Sequence, residues 1–323
     1  MSHTSPLSDA LVTIFGGGGF VGNYVTQALL ARGARVRIAC RHHENVWPLK
    51  PLANLGQLQF APCDLTHAES VKAALAGATH AVNLAGAFGK GVEQLMGKAP
   101  GAMAELANAS GIRALTHVSA IGADAKSPTA YARAKALGEE RVSAAFRNTT
   151  ILRPSLIFGK DDGFINLFAG LIEMLPAVPV FAPQAELQLA YVDDVAEAVA
   201  VALEHPERHG GVTYELGGPE RLSMMAIHQR IAAAQGREDA RLLAMPDAVS
   251  GLFASLPGTP MSSDQWKLLK AGSVVSGTAQ GFADLGIEPR PLGLFLDKWM
   301  TRYRKFGRFG LSNERAKERE ATN

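Results

Sequence analysis

The sequence predicts an α/β protein with a doubly wound parallel sheet and a smaller, mostly helical C-terminal lobe. Three observations carry that expectation. Short Val/Ile/Leu-rich segments alternate with stretches of helical periodicity through the first half of the chain. A glycine run in "VTIFGGGGFVGNYVTQALLARG", residues 12–33, joins the first apolar segment to the first helical one. After Gly159 the alternation loosens into proline-rich loops and helices.

Taken in order, strands are expected at Val12–Phe15, Val36–Cys40, Leu58–Ala61, Ala81–Leu84, Ala114–Ser119 and Thr150–Arg153. Helices fall between them near Val21–Arg32, Ser70–Ala76, Val92–Ser110 and Thr129–Ala145. In the first helix Val21, Val25, Ala28 and Leu29 recur at helical spacing, so the glycines are flanked by order on both sides. A flexible linker is therefore a poor account of them. Glycine costs conformational entropy, and strand–glycine turn–helix is the setting in which that cost serves phosphate binding. Further on, a helix at Asp194–Glu204 and a short strand at Thr213–Leu216 are expected. The domain reading is 1–159 for the nucleotide-binding domain and 160–310 for a mixed region. That region returns 191–218 to the first core and forms the substrate or interaction lobe, expected over the carboxyl ends of the strands. The charged tail, 311–323, is expected to be disordered.

Composition narrows the classes. A chain of 323 residues, 47% hydrophobic, can bury a large core in one or two domains. A formal charge of +2 gives no argument for nucleic acid. Cys40 and Cys63 are far apart without metal-ligand spacing, and read as small core residues of a reducing compartment. No metal is expected. The start "MSHTSPLSDA" lacks the pattern of a signal peptide, and "LFAGLIEMLPAVPVFAP" is broken by Glu173, Pro176 and Pro179. The expectation is a cytoplasmic protein, or one peripheral on the inner face of the inner membrane.

The glycines are spaced G-x-x-G-x-x-G (Gly16, Gly19, Gly22), and Phe20 and Val21 open the helix between the last two. The second strand ends in Cys40-Arg41-His42-His43, with no acid for a ribose 2′-hydroxyl. Arg41 can take a 2′-phosphate, so NADP(H) is favoured over NAD(H); the other reading is a solvated surface arginine. Asp64 closes the third strand, followed by Leu65. It either accepts from the adenine amino group or serves as a turn or N-cap residue. In "THVSAIGADAKSPTAYARAKALGEE", Ser119 ends a strand, and Tyr131 and Lys135 share one helix face at i, i+4. A lysine ammonium beside a phenol is expected to lower its pKa toward that of a working general acid/base, and the serine hydroxyl can hold a substrate oxygen.

With Gly16, Gly19, Gly22, Asp64, "NLAG" (Asn83–Gly86, including Ala85), Ser119, Tyr131, Lys135, "LRPSLIFG" (Leu152–Gly159) and "YVDDVAEAV" (Tyr191–Val199), the chain resembles extended or atypical short-chain dehydrogenases/reductases. These form the NAD-dependent epimerase/dehydratase superfamily. The resemblance runs from about Leu11 to Gly218 and implies a Rossmann fold. It also implies that Pro154 and Ser155 lie along the nicotinamide and that Asp193-Asp194 starts a helix as a plain N-cap at the pocket edge. "MSSDQWKLLKAGSVV", "GFADLGIEPRPL" and "DKWMTRYRKFGRFG" resemble one subgroup. That subgroup holds the NADPH-binding accessory subunit of respiratory complex I and its bacterial relatives.

Between Arg290 and Arg308, Lys298, Arg302, Arg304 and Lys305 interleave with Phe295, Trp299, Tyr303 and Phe306, and Phe309 follows. Such a helix either docks on an anionic membrane or a respiratory complex, or closes the second lobe with its basic face in water. The expected function is NADP(H)-dependent hydride transfer to or from a small carbonyl or hydroxyl compound. The alternative is a non-catalytic NADPH-binding accessory or assembly subunit of complex I. A nucleotide-sugar epimerase or dehydratase is a third reading; no basic aromatic cradle for a second diphosphate shows in Gly159–Pro291.

Overall fold

The computed structural model describes residues 5–255, 261–305 and 307. Phe306, Arg308, Phe309, the 311–323 tail and the side chain of His43 lie outside the described residues. Two compact units are present. The first comprises Met1–Leu156, Ala190–Gly217 and Val274–Pro289; the second comprises Ile157–Leu189, Gly218–Ser273 and Arg290–Asn323.

The first unit is built on a seven-stranded parallel sheet. Its strands are β1 (Leu11–Phe15), β2 (Arg35–Cys40), β3 (Leu58–Pro62), β4 (His80–Asn83), β5 (Ala114–Val118), β6 (Thr150–Pro154) and β7 (Thr213–Leu216). Their spatial order is β7-β6-β5-β4-β1-β2-β3. Every residue of β1, β4 and β5 is buried, as expected of strands covered on both faces. Because β1 pairs with β2 on one side and β4 on the other, the order reverses there. That reversal opens a crevice beyond the carboxyl end of β1, the place where open α/β sheets bind ligands.

Helices α1 (Phe20–Ala31), α2 (Ala68–Leu75), α3 (Ala99–Ala109), α4 (Ala130–Ala145) and α5 (Val192–Glu204) belong to this unit. Gly22, Val25, Thr26, Leu29 and Leu30 form the buried stripe of α1. Its end is tied to α5 by Arg32, which pairs with Glu197 and, at 3.0 Å, with Glu204. The residues expected to start one long helix at Val92 instead form a π-helical turn, Glu93–Lys98, before α3. The α5 cap position is Tyr191, so Asp193 and Asp194 lie inside the first turn rather than at the N-cap. There their charges favour the positive end of the helix dipole.

The second unit contains helices at Gly163–Met174, Met224–Ala234, Asp247–Ser255, Ser263–Ala271 and Gly293–Met300. Asp162 caps the first by accepting from the amides of Phe164 (2.7 Å) and Ile165 (2.6 Å). It also holds strand pairs that the sequence reading did not anticipate. Ala177–Val180 runs parallel to Arg241–Ala244, and Glu186–Leu187 antiparallel to Leu222–Ser223. These runs are too short for a period-two pattern to show. Leu296 and Met300 of the last helix are buried, and Phe295 stacks on Trp299 at 5.0 Å, both near Phe158.

Candidate functional site

Gly16, just past β1, has φ +78°, and a Cβ there would lie 3.0 Å from the Ala85 amide nitrogen, so sterics and backbone both require glycine. A Cβ on Gly22 would lie 2.4 Å from the Gly17 carbonyl oxygen: the first turn of α1 rests directly on the glycine loop. Gly19 differs. It is the α1 N-cap with φ −89°, and an added Cβ would meet nothing closer than the Gly16 oxygen at 3.5 Å. Packing within the protein does not demand glycine at that position. No side chain caps α1 and no acid stands in its first turn, which leaves amide donors and the positive dipole end for an anion.

This helix start opens onto a cleft of about 380 Å³. Gly16, Gly19, Phe20, Val21 and Gly22 line it, with Arg41 from the end of β2, Asp64 and Leu65 after β3, and Ala85 and Gly86 after β4. Cys40, Cys63, Leu84 and Leu95 line it too and were not marked as site residues from the sequence. Both cysteines are free thiols, and burial raises the pKa of each. Arg41 is exposed at the edge. The Asp64 carboxylate accepts from the Thr66 hydroxyl (2.7 Å) and amide (2.9 Å), which holds its pKa below the ordinary carboxylate range. The turn role of Asp64 is thus realised alongside its place in the cleft wall; the α2 cap position is His67.

Ser119, Tyr131, Lys135, Pro154 and Ser155 are not among the cleft-lining residues. The junction is Gly86, where an added Cβ would lie 3.9 Å from the Lys135 ammonium nitrogen. Thr129 caps α4 through a 3.4 Å bond from the Ala132 amide, which starts the helix one residue before Tyr131. Lys135 Nζ donates to the Val118 carbonyl at 2.9 Å and lies 5.9 Å from the Tyr131 ring centre. Phe88 stacks on that ring at 4.6 Å and 16°, a contact for which the sequence carries no signal. Ser119, the next residue after β5, is buried, and its hydroxyl has no partner among the described residues. Pro154 ends β6, and the Ser155 amide donates to the Leu216 carbonyl at 2.9 Å.

Burial lowers the Lys135 pKa to about 8, against the opposing pull of Glu139. Burial also pushes Tyr131 up to about 12. The sequence led us to expect that Lys135 would lower the phenol. In the structure the ammonium bonds the Val118 carbonyl and lies against the ring, so desolvation of the phenolate prevails. Tyr131 is therefore protonated at neutral pH. Behind the pair, Glu139 receives Arg153 bidentately (2.9 and 2.5 Å), and Arg153 reaches Glu215 at 3.9 Å, fastening α4 to β6 and β7. The π turn fits against α4 because residue 138 is glycine: a Cβ there would lie 2.2 Å from the Met96 carbonyl oxygen.

The match to known proteins agrees with this architecture. The model of the NAD dependent epimerase/dehydratase family matches residues 12–217. The mitochondrial NADH dehydrogenase (ubiquinone) 1 alpha subcomplex subunit 9 of Mus musculus is 29% identical over 313 residues, covering 94% of this chain and 82% of that protein. A ceramide reductase of Caulobacter vibrioides is 28% identical over 201 residues, covering 61% of this chain and 62% of the relative. Among solved structures, a Thermus thermophilus UDP-glucose 4-epimerase in complex with NAD superposes with a TM-score of 0.67 at 20% identity, covering 91% of this chain and 99% of that one. From the glycine loop at the sheet's reversal point to the last strand of the first unit, the chain belongs to the NAD dependent epimerase/dehydratase family.

Proposed function

We propose that the cleft binds NADP(H) and that Ser119, Tyr131 and Lys135 serve hydride transfer to or from a small carbonyl or hydroxyl compound. The supporting observation is the meeting, at Gly86, of an uncapped helix N-terminus in a glycine-lined cleft with the buried Lys135 and its half-buried neighbour Tyr131. In this reading the α1 amides face the pyrophosphate, with Gly19 giving the close approach. Arg41 takes the 2′-phosphate, Asp64 and Leu65 flank the adenine, and Pro154 and Ser155 lie along the nicotinamide. The bound nucleotide supplies or receives the hydride. The Ser119 hydroxyl holds the substrate oxygen, and Tyr131 passes that oxygen its proton in the reducing direction. The Caulobacter relative, named a ceramide reductase, favours a catalytic role. Calorimetry tests the nucleotide preference. NADPH should bind at least about tenfold tighter than NADH, about 1.4 kcal/mol, and Arg41→Asp should abolish or reverse that order. Equal affinities in the wild type would remove the assignment of Arg41.

A second reading, an NADPH-binding accessory subunit docked on a respiratory complex at the inner membrane, is favoured by the mouse relative, whose match extends over 94% of the chain. Among the described residues no helix is long and apolar enough to cross a membrane. The proposed docking helix already has partners within the second unit. Arg302 reaches the Lys160 carbonyl (3.2 Å), Tyr303 bonds Asn166 (3.1 Å) and Arg304 donates to the Ala234 carbonyl (2.9 Å). Removing this helix would therefore open a folded core. The sharper variants are Leu294→Glu and Lys298→Glu on its exposed face. If the docking reading holds, both shift the protein from the membrane fraction to the soluble one. Retention on membranes sinks it.

A further inference from the structure

Behind the site lies a fully buried polar pair that the mechanism above does not use. Asn83 and His117, at the ends of the neighbouring strands β4 and β5, are 0% and 1% exposed. The Asn83 side-chain oxygen accepts the Ala85 amide proton at 3.0 Å. A backbone N–H can only donate, so this bond fixes the amide's orientation and turns its NH₂ group toward His117. The Asn83 nitrogen is 3.1 Å from His117 Nδ1, which must then be the acceptor. The ring proton therefore sits on Nε2, a buried donor with no partner among the described residues. Burial, with the Lys135 charge second, keeps this imidazole neutral. Val118, the next residue, supplies the carbonyl that anchors Lys135, while Ala85, at the other end of the pair, lines the cleft.

We propose that the Asn83–His117 pair is a positioning strut that joins the Ala85–Gly86 wall of the cleft to the Val118 carbonyl holding Lys135. Its role rests on the reading of the cleft as a nucleotide site. Nucleotide seated against Ala85 and Gly86 and the placement of the Lys135 ammonium are then coupled through the two Asn83 hydrogen bonds, the His117–Val118 backbone and the bond from Lys135 to the Val118 carbonyl. A plain core histidine would instead contribute to stability independently of Lys135.

The test is a double-mutant cycle on NADPH affinity, read by nucleotide fluorescence, with His117→Phe, Lys135→Met and their combination. The strut predicts that His117→Phe weakens binding about fivefold in the wild type and by less than about twofold in the Lys135→Met background. His117→Asn, whose side-chain oxygen replaces Nδ1 as acceptor, should restore most of the affinity. Equal losses in both backgrounds, or no loss, overturn the proposal. Should His117→Phe fail to fold, nitrogen NMR of the wild-type protein decides. The strut requires an Nε2–H tautomer whose signals shift when NADPH is added. An Nδ1–H tautomer, or an NADPH-insensitive one, overturns it. A wild type that binds no NADPH overturns the cleft reading and this proposal together; one that binds NADPH but gives an additive cycle overturns the strut alone.

Discussion

His117 also makes the protein's stability depend on acidity in a way that can be worked out from the structure. Its pKa falls from 6.5 to about 3 because the ring is buried and the Lys135 charge lies near. In the unfolded chain the same ring titrates near its ordinary value of about 6.5. Below that pH the unfolded state binds a proton that the folded state refuses, so stability falls with acidification. Each pH unit below about 6.5 costs ~1.4 kcal/mol, so lowering the pH from 7 to 5 removes about 2 kcal/mol through this residue alone. His80, lowered to about 4 by burial, adds a loss of the same sign. The difference between wild type and His117→Asn isolates the first contribution, because asparagine does not titrate. Urea unfolding of both proteins at pH 7 and pH 5 measures it, provided each transition is two-state. The wild type should lose about 2 kcal/mol more than the variant over that interval. Equal losses would mean that the folded imidazole takes up a proton near pH 6, and the assigned burial and tautomer would be wrong.

Three further outcomes follow from the loop and the helix behind it. Gly22→Ala forces a Cβ to within 2.4 Å of the Gly17 oxygen and should destabilise the first unit by about 1–3 kcal/mol, visible as a lower urea midpoint; an unchanged midpoint would contradict the packing. Gly19→Val has room in the protein, so it should fold normally yet lose NADPH binding by calorimetry, and normal binding would move the pyrophosphate elsewhere. If the protein is catalytic, Tyr131→Phe should lower turnover across a carbonyl panel at least about a hundredfold while leaving NADPH affinity nearly unchanged, and unchanged turnover would remove the phenol from the chemistry.

Much of this was legible in the sequence because it is written in local patterns. Strands buried on both faces appear as short runs dominated by apolar residues, as in Leu11–Phe15, where Thr13 alone is polar, and Gly16, Gly19 and Gly22 stand close together in the chain. The i, i+4 spacing of Tyr131 and Lys135 needs only a helix to place them on one face. What the sequence could not determine depends on residues far apart in the chain. Gly16 against Ala85, Gly86 beside Lys135, Phe88 on Tyr131 and Asn83 against His117 are each created by strand order or by helix packing. The phenol's charge state was misjudged for the same reason: spacing shows that a lysine is near, whereas desolvation depends on everything packed around the ring. The basic aromatic stretch after Arg290 was likewise ambiguous, because amphipathicity does not say what covers the apolar face. Within the second unit Phe158 lies near Trp299, Asn166 bonds Tyr303 and the Ala234 carbonyl accepts from Arg304, contacts that only the folded chain creates.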